Sequence, residues 1–90
     1  MKYISQGSQC QRRFELLLSR TDIRSENVKA ALKDHLVTGL SDATAAAING
    51  VSQSNFNRAF NAVNDVAETV EKIKELDWVR LGANQLTDKF

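Results

Sequence analysis

Ninety residues with 42% hydrophobic and 26% charged side chains, four glycines and no proline describe one small, helix-permissive domain with a modest core. The net charge is only +1, which gives little long-range attraction for polyanions, and the single cysteine, Cys10, excludes an intrachain disulfide and points to a reducing compartment. The opening MKYISQGSQC lacks an apolar h-region, and no apolar run is long enough to span a bilayer, so neither a secretory signal nor membrane association is expected and the cytoplasm is the expected location.

Along the chain, Ser8-x-x-Gln11 has the spacing of a capping box for a helix over about residues 9–19, with Phe14, Leu17 and Leu18 inward. Ser25 can N-cap a second helix over residues 26–38, where Val28, Ala31, Leu32, His35 and Leu36 form one buried stripe. Gly39 follows as the left-handed stop. Ser41 caps an alanine-rich third helix over residues 42–49. Asn49-Gly50 is a hairpin dipeptide elsewhere, but its flanks show no period-2 alternation, so Gly50 is read as the positive-φ residue between two helices.

Ser52 caps the next helix, and Phe56, Ala59, Phe60, Val63, Ala67, Val70 and Ile73 continue a stripe in steps of three and four. Unbroken to Asp77 it would be ~37 Å long. Either it breaks near Asn64-Asp65, or its far half packs on a second subunit. Trp78, Val79, Leu81 and Leu86 follow, with Gly82 as a stop. The expected fold is an all-α bundle of about five helices containing a helix-turn-helix. It forms a single DNA-binding domain over residues 1–90, with an ordered core over about 8–81 and a mobile tail after Gly82.

The helix-turn-helix reading rests on residue types at particular places. Ala46 is small where a second helix must cross, and Val51 is apolar just after the turn. Phe56, Ala59 and Phe60 can seat the reader helix, residues 53–63. Gln53, Ser54, Asn57, Arg58 and Asn61 then point outward, and Gln and Asn pair bidentately with adenine, Arg with guanine. Ser52 at the helix start suits phosphate contact, and Ser41 and Thr44 on the preceding helix complete the candidate DNA-contacting set. Such motifs usually place an apolar residue where this chain has Asn49, so that side chain must be exposed or cap the turn. A merely solvated helix would favour Lys and Glu over this Asn- and Ser-rich face.

Charge counting limits the affinity of one copy. Residues 1–40 hold seven Lys/Arg against four Asp/Glu, residues 41–65 hold Arg58 against Asp42 and Asp65, and residues 66–90 hold four against five. Phosphate attraction must come mainly from the first forty residues and from additional copies, since linked copies gain avidity without new contacts. Val66, Val70, Ile73, Leu76 and Trp78 are the candidate oligomer interface, for a homodimer or higher oligomer.

The remaining residues exclude other chemistry. His35, on the buried stripe, reads as a packing residue, and Cys10 has no second ligand beside it for a metal. Glu68, Glu71 and Glu75 interleave with Lys72 and Lys74 as a solvated, paired helix face. No nucleophile–base set, phosphate loop or dinucleotide fingerprint occurs, so no enzyme activity, small-molecule substrate, cofactor or metal is expected.

Two resemblances add to this reading. SQSNFNRAFNAVN is similar to the reader-helix segment of lambdoid phage repressors. More broadly, Phe14-Glu15-Leu16-Leu17-Leu18, Ile23-x-Ser25-x-x-Val28, Ala31-x-Lys33-Asp34-His35-Leu36-Val37-x-Gly39, Ser41 and Asn55-Phe56 resemble, in register and without gaps, the Pap-type family of adhesin (fimbrial) biosynthesis transcription regulators. The match spans about residues 14–78, and its most specific element is the block 33–37, in which His35 takes a family aromatic position. The resemblance implies an all-α regulator of a fimbrial operon that binds double-stranded DNA, often oligomerising along AT-rich sites. The chain departs from the family pattern at Asp42-Ala43-Thr44-Ala45, where the family has more charged residues. The alternative is a helical protein-interaction module that modulates another regulator without reading DNA.

Overall fold

The computed structural model describes residues 2–88, with side chains through Val79. Helices α1 (Gln11–Leu18), α2 (Glu26–Lys33), α3 (Asp42–Ile48) and α4 (Gln53–Asp88) follow in order, and α2 is prolonged by a π turn, Asp34–Thr38. The described residues contain no strand.

Local chemistry sets most boundaries. Ser25 Oγ accepts from Val28 N at 3.3 Å and Ser41 Oγ accepts from Thr44 N at 3.2 Å, each satisfying a backbone donor that the helix start leaves open. The capping box at Ser8 does not form. Its hydroxyl instead accepts from Ser5 N and Gln9 Nε2, both at 2.9 Å, closing a turn within the N-terminal arm, and α1 begins after Cys10 with no side-chain cap.

The core draws Phe14 and Leu17 from α1, Ala31 and Leu32 from α2, Leu36 from the π turn, Ala45 and Ala46 from α3, and Phe56, Ala59, Phe60, Val63 and Ala67 from α4. The arm adds Ile4, fully buried, so the packed domain starts well before residue 8. A π turn is one residue wider than an α turn. Here the carbonyls of His35 and Leu36 are taken by the arm, from Gly7 N and Gln9 N at 2.9 Å each. Gly39, at φ 95°, ends the turn, and a Cβ on Gly7 would sit 3.4 Å from the Gly39 Cα, so two glycines allow the arm to cross there.

Among the described residues, four helices stand where about five were expected, because α4 neither breaks at Asn64-Asp65 nor stops at Gly82. Val63 and Ala67 are fully buried on either side of the suspected break, and Asn64 Oδ1 accepts from Tyr3 N at 2.6 Å, tying this part of the helix to the arm. A helical glycine costs only ~1 kcal/mol relative to alanine, too little to end a helix flanked by Leu81 and Ala83. The expected mobile tail thus begins as helix; residues 89 and 90 lie outside the described residues. α4 has 36 residues, and the molecule measures 58 × 22 × 22 Å.

Candidate nucleic-acid interface

The unit formed by α3, residues 49–52 and α4 is built by its turn. Gly50 N donates to Ala47 O at 3.2 Å and Val51 N to Ala46 O at 2.9 Å, the paired closure of a Schellman motif, with Gly50 at φ 67°. Val51 then packs on the core beside Ala46, which is buried where α4 crosses α3. Ser52 Oγ accepts from Asn55 N at 3.2 Å and starts α4. Asn49, the departure from the usual pattern, is half-buried and spends both amide hydrogens, on Asp34 Oδ2 at 2.9 Å and Ala45 O at 2.8 Å. It locks the end of α3 to the π turn.

α4 is seated by aromatic packing. Phe56 lies edge-on to His35 with ring centroids 5.6 Å apart and stacks on Phe60 at 6.3 Å. His35 is 9% exposed, and its Nδ1 is 2.7 Å from Leu40 O. A carbonyl only accepts, so Nδ1 carries the hydrogen. The histidine serves in packing and in holding the segment that leads into α3.

With that face clamped, Ser41, Thr44, Ser52, Gln53, Ser54, Asn57, Arg58 and Asn61 are all exposed. Gln53, Asn57 and Asn61 share one i, i+4 ridge of α4, and Ser54 and Arg58 the next. Gln53 Nε2 donates to Asn57 Oδ1 at 2.9 Å and, at 3.4 Å, to Asp42 Oδ2 of α3. The Gln53 carbonyl and the Asn57 amide group remain open to a ligand. The ridge forms a continuous strip of amides and hydroxyls, with no Lys or Glu along it.

Two depressions flank the strip. A cleft of about 280 Å³ is lined by Lys2, Gln6, Asp42, Asn57 and Phe60, with the Lys2 ammonium 5.5 Å from the Phe60 ring centre. On the other side, a groove of about 560 Å³ separates α4 from the α1–α2 connection. Its floor is Ile23, Val28, Ala59, Ala62 and Val66, and its polar lining includes Arg20, Arg24, Arg58, Asp22 and Asp65. The sequence reading did not single out Arg20, Arg24 or Lys2, because periodicity says nothing about where irregular segments lie.

The cations divide into paired and unpaired groups. Arg13 bonds Glu71, Lys29 lies 3.5 Å from Glu26, Lys72 2.7 Å from Glu68 and Lys74 3.5 Å from Glu71. The Arg13 hydrogen bond holds the Glu71 carboxyl below its ordinary range, and Lys72 does the same for Glu68. Among the described residues, Arg20, Arg24 and Arg58 have no such partner.

The candidate interface residues on α4 split as well. Val66 and Val70 are half-buried against the chain's own core, whereas Ile73, Leu76 and Trp78 are 51%, 72% and 78% exposed on the half of α4 beyond the Arg13–Glu71 tie. Among the described residues, no group of three or more His, Cys, Asp or Glu side chains could hold a metal ion, and no helix is long and apolar enough to cross a membrane.

A sequence profile described as PapB, adhesin biosynthesis transcription regulatory protein, matches residues 1–76. The fold is similar to that of E. coli FocB in its crystal structure, with a TM-score of 0.76 and 25% identity over 81% of this chain and 83% of that one. Among curated proteins, none matches the chain.

Proposed function

The chain belongs to the family of adhesin biosynthesis transcription regulatory proteins, and from that premise we propose that it controls a fimbrial operon by reading double-stranded DNA with residues 53–63 of α4. In this reading residues 1–90 act as one cytoplasmic DNA-binding domain, and α3, its turn and α4 act as a helix-turn-helix. The observation that carries the proposal is the exposed ridge of Gln53, Asn57 and Asn61 beside Ser54 and Arg58, on a helix whose opposite face is fixed by Phe56, Phe60 and His35.

Three amide side chains on one ridge suit adenine, which favours an AT-rich operator, with Arg58 available to a guanine. Ser41, Thr44 and Ser52 contact backbone phosphates at the two helix starts. One copy with this charge binds weakly, so copies associate through the exposed Ile73, Leu76 and Trp78, next to Val66 and Val70, as a dimer or longer array.

The test is selection from random duplexes with the purified protein, followed by titration of Gln53→Ala and Arg58→Ala. Both variants should keep the wild-type helical spectrum and lose the preference for the selected site. Unchanged preference in both would refute the reader assignment. It would favour the protein-interaction reading, for which the exposed apolar residues of the projecting α4 are the motivating observation.

A further inference from the structure

The reader ridge selects bases but contributes only one cation, Arg58, so the phosphate attraction must come from elsewhere in the molecule. The groove beside the ridge answers this. We propose that Arg20 and Arg24, on the connection between α1 and α2, form a clamp for the DNA phosphate backbone along one rim of the groove in which α4 reads, with Arg58 left to the bases beside them. The inference rests on the DNA-reading proposal and assigns that site its backbone contacts.

First, the geometry fits. Viewed down α4, the face bearing Asn55, Ala59, Ala62 and Val66 borders the groove, and Arg58 stands between that face and the base-reading ridge. An element seated in a groove of duplex DNA has a phosphate strand along each side. The α1–α2 connection is the element on one of those sides, and the arm with Lys2 is on the other.

Second, the arginines are available. Arg13, Lys29, Lys72 and Lys74 are each engaged with a carboxylate, whereas the three guanidiniums of the groove have no ion-pair partner among the described residues. Asp22 and Asp65 line the same groove, so its surplus is one positive charge, and neither carboxylate is paired to an arginine. The guanidinium fork is the side chain best matched to a phosphate.

Third, the connection is held in place. Arg20 N and Thr21 N donate to Leu17 O and Leu18 O at 3.1 and 3.0 Å, and Thr21 Oγ1 donates to Leu18 O at 2.7 Å. Ser25 then caps α2, so Arg20 and Arg24 bracket a short segment tied at both ends.

The apolar floor also suits a helix from a second copy, but the charges favour DNA. Arg20 and Arg24, without a carboxylate partner among the described residues, offer fork donors that an apolar helix face would leave unused and a phosphate backbone takes up.

The experiment compares wild type, Arg20→Ala/Arg24→Ala and Arg20→Lys/Arg24→Lys on the selected duplex and on a random duplex across a salt series. Losing two phosphate contacts should lower the slope of log K against log salt by about 1.8 on both duplexes; diluting salt fourfold then strengthens wild type roughly twelvefold more than the alanine variant. The lysine variant should keep the slope, and the preference between the two duplexes should be the same in all three proteins. A wild-type slope in the alanine variant overturns the clamp while leaving base reading intact. A drop in oligomer mass at an unchanged slope would instead assign the groove to a second copy. A wild type that binds neither duplex overturns both the clamp and the reading on which it rests.

Discussion

Asn49→Ala tests the way α3 is held against the rest of the domain. The native amide donates one hydrogen to a carboxylate, Asp34 Oδ2, and the other to a carbonyl, Ala45 O. A hydrogen bond to a charged acceptor contributes about 1.5–3 kcal/mol and a neutral one about 0.5–1.5. Both residues are half-buried, so the lower ends apply and the loss is about 2 kcal/mol. For a domain of this size that lowers Tm by roughly 8–16 °C. Asn49→Asp removes the same two donors and also sets a carboxylate against Asp34. At a partly exposed site the repulsion adds ~1–2 kcal/mol, and acidification relieves it. Urea unfolding followed by circular dichroism, with Asp34→Ala completing a double-mutant cycle, measures each quantity. A stable Asn49→Ala, an Asn49→Asp no worse than alanine, or additivity of Asn49→Ala with Asp34→Ala would refute the account.

Phe56→Ala removes a fully buried ring that touches both His35 and Phe60, at a cost of about 3–5 kcal/mol, and should abolish a cooperative thermal transition in so small a domain. Glu68 and Glu71 have carboxyls held below their ordinary value of 4.5, so they bind protons more weakly when folded than when unfolded. The stability they contribute is present above that value and is lost as pH falls through their lowered folded values. Glu71→Gln should therefore flatten the acid limb of a Tm-against-pH curve; an unchanged limb would contradict the role of the Arg13 tie. Leu76→Ser/Trp78→Ser changes two exposed side chains, so the monomer's unfolding free energy should change by no more than the ~0.5 kcal/mol typical of each surface site, while light scattering should report a smaller particle. An unchanged mass would remove the assembly role from the projecting half of α4.

What could be read from the sequence was what depends on neighbours in sequence. Ser25, Ser41 and Ser52 cap where expected because a cap bonds its own next residues, and Gly39 and Gly50 take positive φ because the chain turns there. The exposure of the reader ridge followed from a 3.6-residue period. The features missed depend on distant partners. The π turn exists with the arm bonded to His35 O and Leu36 O, and no local pattern encodes that extra residue. Ile4 and Gln9 are buried in an irregular segment that shows no periodicity. Asn64 reads as a helix breaker until Tyr3 N, 61 positions away, occupies its carbonyl. Net charge failed for the same reason: it counts Arg13 and Arg20 alike, although only Arg13 is neutralised, by Glu71.

The uninterrupted course of α4 gives the molecule a phase as well as a length. On the proposed reading, base selection is performed at its first turns and association at its exposed far half, with no joint between them. A residue inserted after Lys72, beyond the tie to Arg13, would advance the far half by ~1.5 Å and rotate it by ~100°. Copies would then still bind DNA singly, but their association faces would no longer meet when their readers are seated. Seven inserted residues would return the face to within about 20° of its original direction while moving it ~10 Å outward. Cooperative binding should therefore fall and recover with the helical period of the insertion, as expected if α4 works as a keyed shaft between DNA and neighbour.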